Sequence, residues 1–427
     1  MPAPQGKRHT QMALESDILI IGGGFAGFSL FRQIDRRKRQ VRLLTDRNHF
    51  LFTPLLPLAA VGSVEVRSIV ESVHLFEKKK GEVIIGKAVD LLPAEKKVVV
   101  EYSEGRKEEI SYKELVIASG SITATFNIPG VYEHTYFVKE MRDARRLREK
   151  ILYQFDRANS LQGEERKAAL TFAVVGAGAT GVETACEIDD LVQEDLVKYY
   201  PELARGSRIV IIEAAKEILT VFDRTLAAYA SLKMKQKGIE VRTETPVKAI
   251  EKNKLVLGTG DTLAAETIIW ATGNGPSAFI LKAAERMQIK LARGGRISVK
   301  ETLLVDGPVE SIFTIGDCSA ALDQKGQVLP ATAQVAMKQG VYLGKYFSGK
   351  KQKPFYFKSM GMLASLGSKT AIADLGGNVR FKGMLAWWFW KAAYLTRLVS
   401  MRNRVSVAFD WMKVRMFGRN TARIDYD

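Results

Sequence analysis

The stretch Asp17-Ile18-Leu19-Ile20-Ile21-Gly22-Gly23-Gly24-Phe25-Ala26-Gly27 decides the fold. Four consecutive aliphatic residues read as a buried strand, the glycines as a tight turn, and the residues after Gly24 as a helix start. In a dinucleotide-binding turn each glycine has its own task. Gly22 allows the turn, Gly24 lets the backbone approach a pyrophosphate, and Gly27 lets helix and strand pack closely. The helix N-terminus then offers N–H groups and the positive end of its dipole to the anion. Asp46 lies 22 residues beyond Gly24, after a second apolar strand, Val41-Arg42-Leu43-Leu44-Thr45, where a ribose-binding carboxylate is expected.

The same device recurs. Leu170-Thr171-Phe172-Ala173-Val174-Val175 is a strand followed by Gly176-Ala177-Gly178-Ala179-Thr180-Gly181 and a helix, and the strand Arg208-Ile209-Val210-Ile211-Ile212 ends at Glu213. A carboxylate there accepts ribose hydroxyls and repels a 2′-phosphate, so NADH is preferred over NADPH. Two dinucleotide folds imply two dinucleotides, and the economical pair is one flavin and one nicotinamide, hence hydride chemistry. Two further strands run into small residues, at Ala118-Ser119-Gly120 and Ala271-Thr272-Gly273, which let a flat ligand or its phosphates lie against the backbone. A third, Ile312-Phe313-Thr314-Ile315, runs into Gly316-Asp317, whose carboxylate either binds the ribityl hydroxyls of a flavin or opens a structural turn.

A chain of 427 residues exceeds one simple core, so two or three domains are expected, and 46% hydrophobic residues with 26% charged exclude disorder as the default. The formal net charge of +17 points to an anionic partner, and from Arg380 to Asp427 ten Lys/Arg stand against three Asp/Glu. The runs Arg36–Arg39 and Lys78–Lys80 lack interleaved aromatics, so they read as solvated surface and no nucleic acid is expected. Cys186 and Cys318 have no ligand-spaced neighbours, and the four histidines are scattered. That argues against a disulfide framework, a redox dithiol or a metal site, and both thiols are expected to be buried. Residues 1–16 read as a loose polar arm, and His49 to Pro57, with prolines at 54 and 57, as a packed loop near the cofactor.

In the C-terminal region Leu385, Trp388, Ala392, Leu395 and Val399 recur at helical spacing, interrupted by Lys391 and Arg397. The consecutive Trp387-Trp388-Phe389-Trp390 cannot all face one core. Such a segment lies in the plane of lipid headgroups, and Val405 to Phe417, carrying Lys413 and Arg415, is a second of the kind. No uncharged run of 18 apolar residues suggests a transmembrane helix.

These residues resemble a known family. The paired glycine turns, the two small-residue turns and Thr314-Ile315-Gly316-Asp317 are similar to those of the two-dinucleotide flavoprotein disulfide reductase superfamily. Within it, His49–Leu56, Thr180-Gly181-Val182-Glu183 and Ala333-Gln334-Val335-Ala336 resemble the type II NADH dehydrogenases, single-chain NADH:quinone oxidoreductases. The resemblance implies an α/β fold of two Rossmann-like domains, one for FAD and one for NADH, with a C-terminal amphipathic helical membrane anchor. Residues 14–125 and 279–345 are expected to form the FAD domain, 126–278 the NADH domain and 346–427 the membrane-associating region. Its activity would be non-proton-pumping oxidation of NADH, with hydride transfer to flavin and two-electron reduction of a membrane quinone. The protein is expected to be a homodimer, held monotopically on the cytoplasmic face of a bacterial membrane or on an organellar inner membrane.

Expected flavin contacts are Gly22, Gly24, Phe25, Ala26, Gly27, Asp46, Arg47, Thr53, Pro54, Ala88, Val89, Ala118, Ser119, Gly120, Gly316, Asp317, Ala333 and Gln334. Those for NADH are Gly176, Gly178, Thr180, Gly181, Glu183, Glu213, Ala271, Thr272 and Gly273. Glu183 is the candidate for proton handling or for orienting nicotinamide and quinone; a structural role in its helix is the alternative. Gln334 and Lys338 complete the catalytic candidates. Lys338 departs from the family's Ala-Gln-x-Ala-x-Gln pattern and, four residues on, shares a helical face with Gln334. The Thr272-Gly273-Asn274-Gly275 stretch departs from the usual Ala-Gly-Val. Disulfide reductases and sulfide:quinone oxidoreductases of the same frame need placed cysteines that this chain lacks. A reductase of a soluble protein or small-molecule acceptor, and a non-respiratory NADH-binding flavoprotein acting through partners, stay open as alternatives.

Overall fold

The computed structural model describes residues 15–34, 39–350, 353–377 and 379–423; the arm before Glu15, with His9, and the basic residues 36–38 lie outside them. The chain forms two compact units, one from residues 1–50, 72–122 and 275–358, the other from 51–71, 123–274 and 359–427.

The first unit is organised around the strand Glu15–Ile21, paired in parallel with Val41–Thr45 on one side and Lys107–Ile117 on the other. Glu82–Ile85 extends the sheet beyond Val41–Thr45, and Ile312–Thr314 pairs in parallel with the end of Lys107–Ile117. Ile18, Leu19, Ile20, Leu43, Leu44, Leu115, Val116 and Ile117 are all fully buried, which is why these strands read as unbroken aliphatic runs rather than alternating ones. The beginning of Lys107–Ile117 is antiparallel to Lys97–Glu101, itself paired with Lys87–Leu92. Val89 drops out of that last pairing as a bulge between Ala88 and Asp90. Helix Phe25–Gln33 follows the glycine turn, and helix Ala333–Phe347 lies along it. Two glycines allow that contact: a Cβ at Gly340 would stand 2.4 Å from the Ala26 carbonyl oxygen, and one at Gly344 2.4 Å from Gln33 Cβ.

The second unit has a parallel sheet in the order Tyr136–Phe137, Thr267–Trp270, Thr171–Val175, Arg208–Ile212, Glu240–Arg242. An antiparallel trio, Val247–Glu251, Lys254–Leu257 and Thr262–Ala264, joins its core through Val247, Ile250, Leu255 and Leu263. Helix Met141–Ala158 opens on a capping box formed by Glu140 and Asp143. Helix Ala179–Asp190 follows the second glycine turn and runs on into a π-helical turn, Leu191–Asp195. Both cysteines are buried and free.

One segment is helical where a loop was expected, and another makes contacts that the sequence does not show. The prolines at 54 and 57 open short helical turns, Thr53–Leu55 and Leu56–Ala59, because a first-turn proline lacks only an N–H that would have no helical partner. The C-terminal residues form part of the second unit's core. Strands Met362–Ser365, Ala371–Asp374 and Arg380–Gly383 make an antiparallel sheet, and helices Met384–Arg397 and Met401–Phe417 follow. Trp390, Asn403, Val407 and Asp410 are buried. The Asn403 side-chain amide donates to the carbonyls of Ser68 at 3.0 Å and Val70 at 2.9 Å, and Asp410 accepts from the Glu65 N–H at 3.0 Å. These bonds are the physical reason that residues 51–71 and the last helix share one unit. Among the described residues no helix is long and apolar enough to cross a membrane.

Candidate functional site

In the first unit the glycine turn is packed on two sides and open on the third. Gly22 has φ +109°, and a Cβ there would lie 2.3 Å from the Ala118 carbonyl oxygen; one at Gly27 would lie 2.0 Å from the Gly22 carbonyl oxygen. Gly24 has nothing within 4 Å of the same position, and neither has Gly120, which turns at φ +71°. Helix Phe25–Gln33 opens at Gly24 with no side-chain cap. This is a backbone cradle facing open space at the positive end of a helix, the arrangement a pyrophosphate needs.

Of the other expected residues, Gly316 and Asp317 reach this cradle directly. A Cβ at Gly316, φ +79°, would meet Ala26 Cβ at 2.9 Å, which brings Gly316 and Asp317 to the helix start. Gln339 Oε1 accepts the Gly316 N–H at 2.6 Å, and the Asp317 carboxylate accepts from Ser121 Oγ at 3.1 Å. Asp46 is exposed directly after strand Val41–Thr45, next to Arg47, whose carbonyl accepts from Thr45 Oγ1 at 3.1 Å. Ala333 and Gln334 begin helix Ala333–Phe347, seven and six residues before Gly340, and thus about 10 Å beyond the Ala26 contact. Ala88 and Val89 lie at the bulge of this unit's sheet, whereas Thr53 and Pro54 belong to the second unit. The open cradle and the carboxylates at its rim fit FAD.

The second cradle repeats the first. A Cβ at Gly176, φ +105°, would stand 2.7 Å from Thr272 Cβ; one at Gly181 would stand 1.9 Å from the Gly176 carbonyl oxygen; Gly178 faces open space. The Glu213 carboxylate is fixed beside it, accepting from the Ala177 N–H at 2.7 Å and the Ala215 N–H at 2.8 Å. Thr180 is exposed at the helix start, and its carbonyl accepts from Thr184 Oγ1 at 2.7 Å. Ala271, Thr272 and Gly273 form the opposing turn, with Gly273 at φ +78°. Residues of this cradle fit NADH.

Glu183 lies just over one turn into the same helix and is only 5% exposed. Its Oε1 accepts from the Ser365 N–H at 2.9 Å, and among the described residues it has no ion-pair partner. Burial pushes its carboxyl up to about 8; the Ser365 N–H opposes the rise and the charge of Glu187 adds to it. Trp390 and Tyr394 of helix Met384–Arg397 stand against it, and burial drives the Tyr394 hydroxyl far above its ordinary range. One turn on, Glu187 accepts from Ser63 Oγ at 2.8 Å and is pushed up to about 7 by burial, with Asp190 adding to the rise. Glu183, Glu187 and Asp190 thus form an acidic stripe on one helical face.

The surroundings of Glu183 carry no local sequence signal. Ser365, Trp390, Tyr394 and Ser63 reach it or its stripe from more than 100 residues away in sequence, and no periodicity marks them. Phe126 was also missed. It and Asn127 are consecutive left-handed residues, at φ 54° and 58°, and the Phe126 ring covers Gly273. Of the catalytic candidates on helix Ala333–Phe347, Lys338 is exposed and its neighbour Gln339 is the buried residue that binds Gly316. No group of three or more His, Cys, Asp or Glu among the described residues could hold a metal ion.

Residues 16–340 match the family model described as pyridine nucleotide-disulphide oxidoreductase, and residues 360–420 that of the NDH2 C-terminal domain. The chain is 36% identical to External NADH-ubiquinone oxidoreductase 2, mitochondrial, of Saccharomyces cerevisiae, over 98% of its own length and 84% of the relative's. It is 36% identical to a probable NADH dehydrogenase of Dictyostelium discoideum, over 94% and 90% of the two lengths. Among solved structures, NDH2 from Plasmodium falciparum in complex with NADH superposes with a TM-score of 0.90 at 26% identity, covering 95% of this chain and 99% of that one. The sulfide:quinone oxidoreductase of Aquifex aeolicus, at 19% identity and a TM-score of 0.69, shares the fold.

Three outcomes test this geometry. Gly24→Ala should keep the circular dichroism of the parent while weakening FAD retention about tenfold, whereas Gly22→Ala should cost the fold itself. Glu213→Gln should raise kcat/KM for NADPH relative to NADH by about tenfold, since it removes a fixed negative charge from the ribose position. Between the ordinary carboxyl pKa and about 8, folded Glu183 holds a proton that the unfolded chain has lost, so stability falls as pH rises through that window. The parent's Tm should therefore drop relative to Glu183→Gln from pH 5 to pH 8; a difference independent of pH would contradict the burial argument.

Proposed function

Because the chain belongs to the pyridine nucleotide-disulphide oxidoreductase family and, within it, to the type II NADH dehydrogenases, we propose that it oxidises NADH and reduces a quinone at a membrane surface. The observation that carries the reading is the duplicated cradle: two glycine turns, each open in front of its central glycine, the second flanked by a fixed carboxylate. FAD, when bound, supplies a ring that accepts a hydride from NADH and returns two electrons to the quinone. Gly24, Asp46 and Asp317 hold the flavin nucleotide; Gly178 and Glu213 hold NADH and select against a 2′-phosphate. Ala333 and Gln334 border the flavin ring, with Lys338 on the same helical face as Gln334. Glu183 carries the proton: it is buried against Trp390 with the Ser365 N–H on Oε1, and at neutral pH a carboxyl with pKa about 8 is a donor. The yeast relative named as an NADH-ubiquinone oxidoreductase supports a benzoquinone as acceptor.

Membrane attachment rests on an inverted helix. In Met401–Phe417 the residues Met401, Val405, Phe409, Met412 and Met416 recur at helical spacing and are all exposed, while Asn403 and Asp410 face inward with Val407. Met384, Leu385 and Trp388 of the preceding helix are exposed as well. An unpartnered apolar face on a helix that carries cations suits the headgroup region of one leaflet. The protein would then sit on one face of a respiratory membrane as a homodimer and move no charge across it.

Purified protein should be yellow, release FAD on heating, and reduce a short-chain ubiquinone with NADH. Val405→Glu combined with Phe409→Glu should shift it from the vesicle fraction to the supernatant in flotation while NADH-dependent reduction of a soluble dye persists. Unchanged flotation would remove the last helix from the attachment.

A further inference from the structure

The second unit contains a cavity of about 430 Å³ between helix Ala179–Asp190, the Met362–Asp374 hairpin and the last two helices, a volume within the range of small-molecule pockets. One wall is acidic, and its charges are already matched. Arg419 lies 2.9 Å from Asp195, 3.0 Å from Glu194 and 3.8 Å from Glu187. Asp190 pairs with Lys237 at 2.5 Å and accepts the Ser368 N–H at 2.5 Å, and Lys198 lies 3.1 Å from Asp195.

The other wall has the opposite character. Lys391 and Arg415 both line the cavity, and neither has a carboxylate at ion-pair distance among the described residues. The Lys391 ammonium is held between two indoles, 3.9 Å from the Trp387 ring centroid and 4.6 Å from that of Trp411. Burial pulls its pKa down to about 8; Glu187 opposes the fall and the neighbouring Arg415 adds to it. Two cations set close together, one of them half-buried and caged by aromatic rings, are an arrangement that an anion stabilises. The mouth indicates where that anion comes from. Met416 and Phe417 line the cavity and also end the exposed apolar face of the last helix.

We propose that this cavity binds the phosphate of an anionic phospholipid, with Lys391 and Arg415 as the phosphate ligands, the Trp387 and Trp411 rings around the headgroup, and the acyl chains leaving past Met416 and Phe417. The choice of a phospholipid over a free phosphate rests on the membrane-facing reading of the last helix. The apolar rim gives the acyl chains a surface that inorganic phosphate would not use.

The test is calorimetric titration of the FAD-loaded full chain with dihexanoylphosphatidylglycerol below its micelle concentration, beside dihexanoylphosphatidylcholine and inorganic phosphate. Saturable binding of one phosphatidylglycerol per chain is expected, about tenfold tighter than either control. Lys391→Gln should weaken it about tenfold and Lys391→Arg should restore it. Flavin content and Tm must match the parent in each variant; if Lys391→Gln does not fold, Arg415→Gln carries the same expectation. Phosphatidylcholine or phosphate binding as tightly as phosphatidylglycerol, or Gln variants binding like the parent, would overturn the proposal. Vesicle flotation separates the two readings. Loss of flotation with monomeric lipid binding intact sinks the attachment alone, whereas flotation without saturable monomer binding sinks the headgroup site alone.

Discussion

Gly27 and Gly181 each lie with the carbonyl oxygen of the first turn glycine about 2 Å from where a side chain would begin. No residue with a Cβ can stand there, and that exclusion lets each helix settle on its strand with its N-terminus directed at the cradle. The strand beyond the turn adds a second exclusion: Ala118 against Gly22 in one unit, Thr272 against Gly176 in the other. Both units therefore share one constraint, a backbone pressed tight on two sides and left open in front of Gly24 and Gly178. Where the glycines are packed they shape the fold; where they are not, they leave room for a ligand.

This is why the fold was so legible in the sequence. Buried parallel strands must be aliphatic throughout, and the turns that join them to their helices admit only glycine, so both unit cores announce themselves locally. Glu213 was legible for the same reason, since its place is set by counting from the turn, and its two backbone hydrogen bonds fix the carboxylate beside it. What was not legible depends on partners distant in sequence. Nothing local distinguishes the Ser365 N–H that meets Glu183, or the Arg419 that gathers Glu187, Glu194 and Asp195. The prolines at 54 and 57 misled because a proline forbids the interior of a helix but suits its first turn.

The C-terminal region shows what a local reading of a helix leaves out. Its apolar periodicity predicted helices with one greasy face, and the faces are there. Periodicity, however, cannot say that the opposite face of the last helix carries the structural contacts. Asn403 and Asp410 bind main-chain groups at Ser68, Val70 and Glu65, and such buried bonds are costly to leave unmade. The polar side is thus the inward side, and the apolar side is left over for something other than the protein's own core. A helix with its polarity reversed is better evidence for a lipid surface than an exposed apolar residue alone, because ordinary folding would have turned it round.

Helix Ala179–Asp190 joins these themes. It begins at a phosphate turn, carries Glu183 and Glu187 on one face, and runs into a π turn whose acids Arg419 grips. Its twelve residues span about 18 Å. Across that span, the open cradle at Gly178, the buried acid under Trp390 and Tyr394, and the helices with exposed apolar faces are held in fixed relation by one rigid element of one unit. A quarter-turn error in that helix would move Glu183 away from the Ser365 N–H and leave a buried carboxyl without its hydrogen bond. The same hydrogen bond that positions the acid therefore ties the docking of the C-terminal sheet and helices to the geometry of the nucleotide turn.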